Sequence, residues 1–136
     1  MRHVDYQGWY EYIRSVMLNY SPHAKFILEL GCGTAYFSAW LARRGARAVG
    51  VDLTPAQLDT ARRCQRQFGI DFPLLAADAS SLPLRDASFD LVFSSMFLHE
   101  LPLKDIRAFF REAHRVLKPG GLFLNMELPP NNRMQA

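Results

Sequence analysis

Residues 26–38 read FILELGCGTAYFS. An apolar run, Phe26 to Leu30, carries a single acid, Glu29, and ends in Gly31-Cys32-Gly33. A short apolar run bounded by a turn signal predicts a buried strand. The stretch that follows, Ala35 to Arg44, predicts a helix that Gly45 stops. Strand, glycine turn and helix together open a βαβ unit. Glycines in such a turn let a ligand approach the backbone where a side chain would collide. The flanking residues must decide whether that ligand is a dinucleotide, another nucleoside or none.

The pattern repeats outward. RAVGVD (47–52) predicts a second strand. Thr54-Pro55-Ala56-Gln57 predicts a helix start, with Thr54 as cap, Pro55 at the first helical position and Gln57 completing a capping box. That helix is expected to run to about Gln67 and to end at Gly69. FPLLAAD (72–78), FDLVFSS (89–95) and LFLNMEL (122–128) predict three more strands, the last after a turn at Pro119-Gly120-Gly121. Ile106, Phe109, Phe110, Ala113, Val116 and Leu117 form the apolar stripe of a helix over Lys104 to Leu117. Tyr6, Trp9, Tyr10, Ile13, Met17 and Tyr20 recur at helical spacing near the N-terminus. Strands alternating with helices imply an α/β fold with a mostly parallel sheet of about five strands.

The chain has 136 residues, 49% apolar and 21% charged, which fits one globular domain, 1–136. Residues 1–22 are expected to form a helix or lid, and 129–136 a flexible tail. Thirteen of the sixteen cations are arginines. They are spread along the chain without interleaved aromatics, so no nucleic-acid partner is expected. No apolar run is long enough to span a bilayer, and no secretion signal is visible. Cys32 and Cys64 lack metal-ligand spacing; with no metal expected, both read as free thiols in the cytoplasm.

Ligands of parallel sheets bind at the carboxyl ends of the strands. Position 36, where a dinucleotide fingerprint needs its third glycine, holds Tyr36. Asp52 ends the second strand, at the distance from Gly33 where an acid can accept bonds from ribose hydroxyls. Asp78 and Ala79 end the third, where a carboxylate or amide can read an adenine edge. Either acid could instead serve only its own loop.

ELGCGTAYFS, VGVDLTPAQLDTAR, AADASSLPLRDASFDLVFSS and VLKPGGLFLNMEL resemble, in order and spacing, the motifs of class I S-adenosylmethionine-dependent methyltransferases. LPLRDASFDLV and HRVLKPGG are most similar to the branch that includes ubiquinone and menaquinone biosynthesis enzymes. The resemblance spans about residues 26–128. It implies a Rossmann-like three-layer sandwich with strand order 3-2-1-4-5. It implies S-adenosylmethionine as cofactor and S-adenosylhomocysteine as product. By position, Gly31, Cys32 and Gly33 would lie along the methionine, with Glu29 organising the loop. Asp52 would hold the ribose, Leu53 would pack on the adenine, and Asp78 and Ala79 would meet its edge. Ser94, Ser95 and Phe97 would border the methyl-transfer pocket. His99, just past the fourth strand, is the candidate general base, its ordinary pKa suiting that task.

The resemblance implies methyl transfer to an oxygen, nitrogen or carbon nucleophile of a small molecule. The alternative is a silent S-adenosylmethionine-binding module acting through a partner. Class I enzymes continue past the fifth strand with a helix and an antiparallel pair, which this sequence lacks. Strand 122–128 is therefore expected to be an edge covered by a second copy or another partner.

Overall fold

The computed structural model describes residues 6–95, 97–98 and 101–127. Its elements in chain order are α1 (Tyr6–Tyr20), β1 (Phe26–Leu30), α2 (Tyr36–Arg43), β2 (Arg47–Asp52) and α3 (Pro55–Phe68). There follow β3 (Leu74–Ala76), β4 (Phe89–Ser95), α4 (Leu103–Val116) and β5 (Leu117–Met126). The strands form one sheet in the order β3-β2-β1-β4-β5, and every pairing is parallel. The expected α/β sandwich and strand order are both present.

Apolar side chains on both faces of β1 and β4 set the layers. Ile27, Leu91 and Phe93 pack with Ile13 and Met17 of α1, Phe37 of α2, and Leu58 and Ala61 of α3. Leu28, Leu30 and Val92 pack on the other face with Phe109, Ala113 and Val116 of α4 and with Leu82 of the β3–β4 loop. Among the apolar positions spaced along α1, Ile13 and Met17 are buried but Tyr20 is 69% exposed. The tail 129–136 lies outside the described residues. No helix among the described residues is long and apolar enough to cross a membrane.

Three local expectations are corrected. Thr54 makes no side-chain capping bond. Its own N–H instead donates to Asp52 Oδ1 at 2.9 Å, so the acid at the strand end organises this turn. The third strand covers Leu74–Ala76 rather than 72–78. Pro119-Gly120-Gly121 does not precede β5 but interrupts it. Phe89 pairs with Leu117 and Leu91 with Leu122, so the extra residues of β5 bulge out. Gly120, at φ +81°, supplies the left-handed backbone this needs.

The β3–β4 loop carries Asp78 and is fastened to α4 by Arg115. The guanidinium donates to Glu112 Oε2 at 2.7 Å, Asp86 Oδ1 at 2.7 Å and the carbonyls of Leu84 and Leu82 at 2.8 and 3.1 Å. Glu112 Oε1 in turn accepts the Leu82 N–H at 2.7 Å. The Arg115 side chain is 30% exposed, so solvent screens part of this network. Arg115→Ala still strands two carbonyls and a carboxylate, and is expected to cost about 2 kcal/mol. Differential scanning calorimetry should read this as a midpoint lowered by roughly 5–10 °C.

Candidate cofactor site

The carboxyl ends of β1, β2 and β3 open onto a cleft of about 440 Å³. A larger recess, about 710 Å³, lies at the other end of the sheet among Phe26, Arg47, Phe68 and Pro73, and contains none of the strand-end acids. The first cleft is the one with chemistry. Gly31 and Gly33 contribute its floor, with Asp52 and Leu53 from the β2 end and Asp78 and Ala79 from the β3 end. Phe97, Leu101, Pro102 and Asp105 close it from the β4–α4 side.

The glycine turn is built from left-handed residues. Gly31, Gly33 and Ala35 have φ of +64°, +54° and +58°. The two glycines then differ in use. A Cβ on Gly33 would find nothing nearer than Gln57 Oε1 at 3.9 Å, so its backbone faces open space. A Cβ on Gly31 would lie 2.2 Å from Cδ1 of Phe97. The absence of a side chain at Gly31 admits that ring.

Asp52 joins the turn to β2. Its Oδ2 accepts the Gly33 N–H at 2.8 Å, and its Oδ1 accepts the Thr54 N–H. Each oxygen keeps a free lone pair for a ligand donor. Asp78 Oδ1 accepts both the N–H of Ser80, at 2.9 Å, and its hydroxyl, at 2.7 Å. These bonds hold its carboxyl below the usual range and leave Oδ2 for other donors. Both readings of these two acids therefore coexist: each serves its turn and each lines the cleft.

Four expected site residues lie outside the lining. Ser94 is fully buried and donates to Asn125 Oδ1 at 2.6 Å. Ser95 is half-buried at the end of β4. Cys32 is buried, and burial first, then Glu29 and Asp52, push its thiol well above the ordinary thiol range. Glu29 is buried beneath the turn, where its Oε1 accepts the Ser38 hydroxyl at 2.7 Å and N–H at 3.1 Å. That contact ties β1 to the first turns of α2. His99 lies outside the described residues.

Reading strand ends alone missed Gln57, Leu101, Pro102 and Asp105, because these belong to α3, α4 or the segment before α4. Tyr36 also gains a reason. Its ring stacks on Tyr10 of α1, with centroids 4.6 Å apart and planes at 20°. Its hydroxyl accepts from Arg14 at 3.1 Å. The place of a third glycine is thus taken by packing.

The electrostatics of the cleft discriminate between ligands. Three carboxylates, Asp52, Asp78 and Asp105, line it, and no Lys, Arg or His does among the described residues. A pyrophosphate would meet like charge, whereas a cationic nucleoside would meet its complement. A family model described as a methyltransferase domain matches residues 28–125. The chain belongs to the class I S-adenosylmethionine-dependent methyltransferases.

Methyltransferases with recorded activities are among its relatives. It is 41% identical to malonyl-[acyl-carrier protein] O-methyltransferase of Serratia marcescens over 72% of this chain and 36% of that one. It is 36% identical to demethylmenaquinone methyltransferase of Thermus thermophilus over 86% of this chain and 53% of that one. The chain thus spans between about a third and about half the length of these relatives. Among solved structures, PH0226 from Pyrococcus horikoshii superposes with a TM-score of 0.84 at 27% identity, over 90% of this chain and 58% of that one. An S-adenosylmethionine-dependent methyltransferase from Clostridium acetobutylicum gives 0.75 at 26%, over 88% and 49%.

The cofactor of this methyltransferase family is S-adenosylmethionine, and the cleft suits it: an uncovered backbone at Gly33, acids at successive strand ends and, among the described residues, no opposing cation in the lining. Glu29 adds a pH response. Burial pushes its carboxyl up to about 7, against the pull of the Ser38 bonds and with a smaller push from Asp52. The folded state therefore holds a proton that the unfolded chain releases near pH 4.5. The stability that this proton contributes is fully present below that value and is lost as pH rises toward 7, by up to about 1.4 kcal/mol per pH unit. Glu29→Gln keeps an acceptor for Ser38 and is expected to flatten this slope in denaturant titrations between pH 5 and 8. An unchanged slope would remove Glu29 as its source.

Proposed function

We propose that the methyltransferase cleft binds S-adenosylmethionine and presents it to a small-molecule acceptor with an oxygen, nitrogen or carbon nucleophile. In this reading Asp52 accepts hydrogen bonds from both ribose hydroxyls through the free lone pairs of its two oxygens. Leu53, exposed at the cleft margin, packs on the adenine. Asp78 and the backbone at Ala79 take the adenine edge. The open backbone at Gly33 receives the methionine portion, and Glu29 holds the turn from below. Ser94 and Ser95 support the β4 end from beneath, with Phe97 as the wall facing the acceptor.

When bound, S-adenosylmethionine supplies a methyl group on a sulfonium, which is already a good leaving group. The chain's part is to align and to exclude water. Phe97, Leu53 and Leu101 supply the apolar cover. A base is needed only where the acceptor must lose a proton, and His99, following β4, is the residue proposed for it. The single observation that carries the reading is the arrangement of Asp52, Asp78 and Gly33 at successive strand ends in a cleft whose charged lining residues, among those described, are all acids.

A second reading is a silent cofactor-binding module. It is favoured by the edge of β5, which pairs only with β4 among the described residues. A second copy or a partner covering that edge belongs to either reading, in the cytoplasm where the two free thiols stay reduced. Incubation with methyl-labelled S-adenosylmethionine and a panel of quinols, phenols, amines and carboxylic acids separates the two. Label in an extracted small molecule supports methyl transfer. Cofactor binding without transfer to any acceptor supports the silent module.

A further inference from the structure

We propose that Asp105 is a third cofactor contact, an acceptor for the exocyclic amino group of the adenine; this rests on the cofactor reading above. Asp105 lines the cleft from the first turn of α4. It is half-buried, and no hydrogen bond or ion pair engages its carboxylate among the described residues. An acid at this third helical position commonly reaches back to the N–H of the capping residue. Here the capping residue is Pro102, which has no N–H, so that use is closed.

The helix also fixes which part of the cleft Asp105 serves. Glu112 follows it by seven residues, two turns along the same face of α4. Glu112 Oε1 holds the Leu82 N–H, so this face is turned toward the loop that begins at Asp78. Asp105 therefore stands on the Asp78–Ala79 side of the cleft. A purine amino group carries two hydrogens. Asp78 Oδ2 can take one, since Oδ1 is already committed to Ser80. Asp105 takes the other. Two acceptors on one amino group make the cleft selective for adenine over a purine with a carbonyl in that place, which would turn an acceptor toward two carboxylates.

The test is calorimetric titration of the whole chain with S-adenosylhomocysteine and with its deaminated analogue, S-inosylhomocysteine. The wild-type chain is expected to prefer the adenosyl compound by at least tenfold. Asp105→Ala is expected to weaken that compound about five- to tenfold, to leave the inosyl compound within about twofold, and so to narrow the preference. Asp105→Asn, which keeps one acceptor oxygen, is expected to fall between. A merely structural role at the helix terminus would shift the unfolding midpoint of Asp105→Ala but not the ratio of the two affinities. Unchanged adenosyl affinity, or equal loss for both compounds, overturns the proposal alone. Failure of the wild-type chain to bind either compound overturns the cofactor reading and this contact with it.

Discussion

Gly31→Ala is expected to be the most damaging single substitution in the glycine turn. The added methyl would lie 2.2, 2.4 and 2.8 Å from three carbons of the Phe97 ring. Contacts below 3 Å force a rearrangement, and the whole ring must move, because these atoms include its root and not just its far edge. The backbone at φ +64° adds strain for any residue with a Cβ. Overpacking and a left-handed alanine together are expected to cost about 3 kcal/mol or more. Cofactor affinity should fall as well, since the turn and Phe97 both border the cleft. Gly31→Ala in a Phe97→Ala background should recover the part due to the clash and leave the part due to φ. Denaturant titrations of the four chains in this cycle measure both parts. Full additivity, with no recovery, would contradict the packing of Phe97 on Gly31.

Asp52→Ala carries the largest expected effect on binding. The carboxylate makes two bonds to the turn, to the N–H groups of Gly33 and Thr54. In the proposed complex it makes two more to the ribose. Bonds to a charged acceptor contribute roughly 1.5–3 kcal/mol each, so the cofactor dissociation constant should rise at least tenfold and toward a hundredfold. Asp52→Asn separates charge from shape. It retains one acceptor oxygen and should fall between wild type and alanine in titrations with S-adenosylhomocysteine. A dissociation constant in Asp52→Ala equal to that of the wild type would leave Asp52 as a turn residue only.

Much of the fold was legible because its signals are local and strong. The apolar runs of β1, β2 and β4 gave their bounds to the residue, and Gly69 closes α3 in the left-handed conformation its type suggests. Glycine positions marked the cleft, and Asp52 and Asp78 marked its walls. What the sequence hid was three-dimensional. The strand β3 pairs at only three positions, with Gly50, Val51 and Asp52, and Pro73 just before it has no N–H to give the ladder. Thr54 makes no side-chain capping bond, and its own N–H is held by Asp52, an acid two residues away. Gly31 and Gly33 look alike in sequence but serve different neighbours, and Phe97 reaches Gly31 across 66 positions of chain. Asp105 showed no motif; its place follows from the path of α4.

The most direct test of the cofactor site is titration calorimetry of the wild-type chain with S-adenosylmethionine and, separately, with NAD. Saturable one-to-one binding of S-adenosylmethionine, with no heat from NAD, is the expected outcome for an acid-lined cleft whose glycine turn ends in Tyr36. Binding of NAD with no binding of S-adenosylmethionine would contradict it.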